Sequence, residues 1–137
     1  MKFSDLSKEQ WAELQPYLDT AILPLTGLTG SEMPHEATEA LEKLRDVLDL
    51  IEGPFKGRVV IYPSCHFDQG PGGNLAEELC RNLRKVGFRY IIAAAAYPLD
   101  GADTLSCADL VIAVEADGSL PSKDSVSEAV RILWLGR

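Results

Sequence analysis

The chain has 137 residues and a formal net charge of −8, a length that buries roughly 65–70% of the unfolded surface and suits one domain with one core. With 46% hydrophobic and 25% charged residues it falls among ordinary globular chains, which excludes disordered and fibrous classes. The acidic balance argues against nucleic acid and against an anionic membrane surface, since both call for clustered Lys and Arg. No apolar run approaches the ~20 residues of a membrane span; the longest is Tyr90 to Tyr97.

The opening stretch MKFSDLSKEQWAEL is too polar for a signal peptide, which needs ~7–15 continuous apolar residues, so a cytoplasmic location is expected. Ser7 and Gln10 stand at capping-box spacing, with Leu6 and Trp11 as a hydrophobic staple. Pro16 limits this first helix to about three turns. YLDTAILPL then predicts a strand from Leu18 to about Leu23, with Pro24 where ladder pairing ends. LPLTG, Leu23 to Gly27, matches the sortase pattern LPxTG, but it lies near the N-terminus and an acidic helix follows it. It is expected to be a strand end with its loop.

Pro34 suits a first helical turn, and Ala37, Ala40, Leu41, Leu44, Leu48 and Ile51 recur at helical spacing until Gly53-Pro54. RVVIYP is a continuous apolar strand, as expected when both faces are covered. The loop SCHFDQGPGG leads to a helix with Asn74 as cap, Glu77 three residues later, an apolar side of Leu75, Leu79, Leu83 and Val86, and Gly87 at its end. Arg81, Arg84 and Lys85 lie in its second half, where they favour the helix dipole. YIIAAAA and DLVIAVEA complete four short strands, linked by GADTLSCA. Val126, Ala129, Val130, Leu133 and Trp134 place a last helix, and both Trp11 and Trp134 fit core-facing positions. Strands alternating with helices predict a single α/β domain over residues 1–137. Its fold is three-layer, Rossmann-like or flavodoxin-like, with a mainly parallel four-stranded sheet in the order 2-1-3-4 and helices on both faces.

In such a sheet ligands bind outside the carboxyl ends of the strands. The loops there carry Thr26, Ser64, His66, Asp68, Asn74, Asp103 and Glu115 as candidate ligand-binding residues, with Thr29, Cys65, Asp100 and Asp117 beside them. GPGGN could offer backbone N–H groups to an anion, but it has neither P-loop nor dinucleotide-fingerprint spacing, and Pro71 removes a donor. Cys65 and His66 are neighbours, and adjacent side chains of an extended chain point to opposite sides. A thiolate there would need its base from another loop. The loop carboxylates could act as a base or bind Mg²⁺, though loop Asp and Glu more often form turns and caps. Three cysteines without CxxC spacing are expected to be reduced, with Cys80 a buried small hydrophobe and Cys107 packed under its loop. With only two histidines, a structural zinc site is not expected, and no cofactor is implied.

YLDTAILPL, FKGRVVIYP and NLRKVGFRYIIAA, in this order and spacing, resemble the YpiF-like family of small bacterial proteins, a domain of unknown function. The resemblance covers about Tyr17 to Ala96, is strongest at Phe55 to Val59, and fades toward the C-terminus. It implies a soluble cytoplasmic bacterial protein and carries no catalytic residue. A non-enzymatic accessory or interaction module, working with a protein partner or as a homo-oligomer, fits the shortage of His, Lys and Arg near the loops. A small-ligand or nucleotide-type binding domain, with transferase or hydrolase activity at the carboxyl edge, is the alternative. Whether the chain is an enzyme is open at this stage.

Overall fold

A computed structural model describes residues 1–66, 75–99 and 106–136. A 3-10 turn at Phe3–Asp5 precedes α1 (Lys8–Leu14), β1 (Thr20–Leu25) and α2 (Pro34–Glu52). After a second 3-10 turn at Gly53–Phe55 come β2 (Val59–Ile61), α3 (Leu75–Val86), β3 (Tyr90–Ala95), β4 (Leu110–Ala113) and α4 (Lys123–Trp134). The four strands form one parallel sheet in the order β2-β1-β3-β4. The fold is the expected α/β arrangement, and the strand order is the expected one.

Alternation along the strands splits the core in two. Ile22, Ile92, Ala94 and Ile112 face α2 and α4, meeting Val47, Ile51, Val126 and Val130. Ala21, Leu23, Leu25, Ile91, Ala93 and Ala95 belong to the clusters that contain Cys80, Leu83 and Ala76 of α3, with Trp11 and Leu14 of α1 packed alongside. Ser7 caps α1 and exchanges hydrogen bonds with Gln10 as expected.

Three expectations shift. β1 runs to Leu25, so Pro24 lies inside it and is paired with Ala94. The missing N–H is tolerated because Pro24 turns its polar backbone toward β2, whose regular pairing has already ended. Tyr62 donates to the Ile22 carbonyl and Cys65 to that of Pro24, so one extra residue bulges out opposite the proline. On α2 the buried residues are Leu44, Val47 and Ile51, while Leu41 is 47% exposed. Leu41 lines an open groove with Pro24, Leu44, Leu48, Ile61 and Tyr62, with no further element packed over it among the described residues. On α3 the buried face is Ala76, Cys80 and Leu83, with Leu75 and Val86 exposed. Two of the three buried side chains, Ala76 and Cys80, are small. Gly87 ends α3 at φ +126°.

The amino end of the sheet is locked by polar contacts. Arg58 makes paired bonds of 2.9 and 3.0 Å to Asp19 and lies 4.0 Å over the Trp134 ring. The Trp134 indole donates to the buried Thr20 hydroxyl at 2.9 Å. This fixes α4 to β1 far from the strand ends where a ligand would sit.

Candidate functional site at the carboxyl edge of the sheet

β1 is followed in the chain by β2 on one flank of the sheet and β3 by β4 on the other, which makes the carboxyl ends of β1 and β3 the switch point of the fold. Thr26 follows β1 there and is buried. Its N–H donates to the Cys65 carbonyl at 2.9 Å, and Cys65 N–H donates to Pro24 at 2.8 Å. The segment after β2 is thereby stitched to the end of β1. The stitch carries His66 to Thr26, with Nδ1 2.8 Å from the hydroxyl oxygen across 40 positions of sequence. That oxygen also accepts the Leu28 N–H at 3.1 Å. If Thr26 donates to Nδ1, the exposed Nε2 of His66 carries a proton and can donate. In the opposite tautomer Nε2 is an acceptor, able to take a proton or bind a metal.

Gly27 closes the corner at φ +76°, and a Cβ there would lie 2.5 Å from Cδ1 of Tyr97, the residue that follows Ala96 after β3. Neither Gly27 nor Tyr97 stands out in the sequence. The glycine directly after a strand-end Thr is the available signal.

The other candidates disperse. Cys65 is buried against Leu25 and Ala95 while His66 is exposed, so the two do not form a nucleophile–base pair. Ser64 is exposed at the end of a groove of about 410 Å³ floored by Leu44, Leu48, Ile61 and Tyr62. Glu115 belongs to its own turn, its N–H donating to the Ser119 carbonyl at 2.8 Å. Asp117 accepts the Ser119 hydroxyl at 2.6 Å and N–H at 3.0 Å, which holds its carboxyl below the ordinary value. Glu32 is lowered in the same way by the N–H of Thr29, with Gly30 and the Thr29 hydroxyl adding to it. Asp68, Asn74, Asp100 and Asp103, and the GPGGN loop, lie outside the described residues.

Among the described residues, no group of three or more His, Cys, Asp or Glu is placed to hold a metal ion. None of the described helices is long and apolar enough to cross a membrane.

An open, doubly wound parallel sheet with a short polar corner at its switch point defines the class. Residues 9–96, more than half of the chain, match the model of a family described as a protein of unknown function, DUF2487, and the chain belongs to that family. The three segments that resemble the YpiF-like proteins lie within this match. The match spans α1 to the end of β3 and stops before β4 and α4. No curated protein and no solved structure matches the chain.

Proposed function

We propose that this chain is a non-enzymatic accessory module that acts by protein contact, through a strand added at the outer edge of β4. The carrying observation is that edge. The Val114 N–H donates to Ala95 of β3 at 3.4 Å, so by alternation Leu110 and Ile112 also turn their backbone groups to β3. Val111 and Ala113 turn theirs outward, where no described strand lies. The strand LVIA has no charge, proline or bulge to block pairing. The opposite edge, β2, is covered instead by the Lys2–Ile61 bridge.

The added strand in this account is β4 of a second copy. Antiparallel pairing about a two-fold axis, with Val111 opposite Ala113 of the second copy, satisfies all the outward groups of both strands. Sedimentation velocity over a concentration series tests this. Reversible dimers are expected, and Ala113→Pro, which removes only an outward N–H, abolishes them while the fold by circular dichroism is kept. A wild-type chain that stays monomeric at every concentration would overturn the edge as contact surface.

A small-ligand site at the carboxyl edge is the second reading. The observation in its favour is the Thr26–His66 pair at the switch point.

A further inference from the structure

On the α3 face of the sheet, Glu77, Cys80 and Arg84 recur at three and four positions and share one side of the helix. All three meet the segment that leads into β4. Glu77 accepts the Cys107 N–H and the Ser106 hydroxyl, each at 2.9 Å. Arg84 donates to the Cys107 carbonyl at 2.5 Å and pairs with Asp109 at 2.8 Å, and Asp109 in turn accepts the Ile91 N–H at 2.8 Å. Between these clamps the fully buried Cys80 lies beside Cys107, which packs half-buried against the same cluster.

We propose that Cys80 and Cys107 are a redox modification site, closing to a reversible disulfide when the chain meets a hydroperoxide. The backbone of Cys107 is held to α3 from both sides, by Glu77 at its N–H and by Arg84 at its carbonyl, which keeps its side chain beside Cys80. The order of events follows from burial. Burial pushes the Cys80 thiol far up, the neighbouring Cys107 thiol adding to it, so Cys80 is a poor first nucleophile. Cys107 attacks the peroxide, the O–O bond breaks, and a sulfenic acid and one molecule of water or alcohol result. The Cys80 sulfur then attacks the Cys107 sulfur, the S–S bond forms, and the departing hydroxide leaves as water with the Cys80 proton. Two thiols lose two electrons and the peroxide gains them. A thiol reductant reverses the change. The third cysteine, Cys65, is buried at the carboxyl end of the sheet among other residues and serves as an internal control.

The test is to treat the full-length chain with hydrogen peroxide, alkylate it after denaturation and map its peptides. The expected product is lighter by about 2 Da before alkylation, with one alkylated thiol instead of three and a Cys80–Cys107 cross-link that dithiothreitol removes. Closing this loop raises the melting temperature by roughly 5–10 °C. Cys107→Ser is expected to leave Cys80 reduced under the same treatment, and Cys65→Ala is expected to cross-link like the parent. Sulfinic acid at Cys107 with Cys80 still free, or a bridge that includes Cys65, would overturn the assignment.

Discussion

Gly27 is the residue on which the switch-point corner depends most. Its φ of +76° is strained for any L side chain, and the Tyr97 ring occupies the space a Cβ would take. Gly27→Ala is therefore expected to cost about 2–4 kcal/mol in urea unfolding, whereas Gly53→Ala, which has open space and a helical φ, is expected to be near neutral. Single residues were only partly legible beforehand. The capping pair Ser7–Gln10, the buried Cys80 and the opposite orientations of Cys65 and His66 follow from local chemistry and spacing alone. The Thr26–His66 bond does not, because it depends on a bulge after β2 that returns the chain to β1. Nothing in the order of residues marks that bulge.

At the level of elements, polar contacts decide what hydrophobic pattern leaves open. Glu77 ties α3 to the start of the β4 segment, and the Cys107 N–H, helped by the Ser106 hydroxyl and Arg81, holds its carboxyl below the ordinary 4.5. A depressed carboxylate contributes stability that is present above its unfolded pKa and lost as pH falls through the folded one. Glu77→Gln is accordingly expected to cost about 1–2 kcal/mol at pH 7. The difference from the parent should shrink steadily below pH 4.5 in paired urea titrations, and a cost unchanged at pH 3 would contradict this role. Helix positions were legible from period and caps, but their buried faces were not fully so. Large apolar residues mark a stripe on α3, yet Leu75 and Val86 stay exposed while Ala76 packs with Ala93 and Ala95, and Cys80 and Leu83 with Ala21, Val60 and Ile91. On α2 Leu41 lines an open groove beside Pro24, Ile61 and Tyr62 and stays half exposed, a placement that no single helix reveals.

For the whole molecule, the order β2-β1-β3-β4 was readable because unbroken apolar strands separated by helices admit few arrangements. The function was less readable for a physical reason. The described carboxylates with displaced titration are all lowered by hydrogen bonds from their own surroundings, which suits turns and tethers. The surface proposed for contact is a backbone edge, unpaired among the described residues, and such an edge has no side-chain signature. The central claim is that this chain works by protein contact and not by taking a small ligand at the switch point. The most direct measurement is a thermal-shift panel of the purified chain against nucleotides, nucleosides, sugar phosphates and divalent metals. The account predicts no shift beyond about 1 °C from any of them. A ligand at ~100 times its dissociation constant would raise the melting temperature by roughly 5–10 °C. Such a rise, lost in His66→Ala, would contradict the account and make the Thr26–His66 corner the working site.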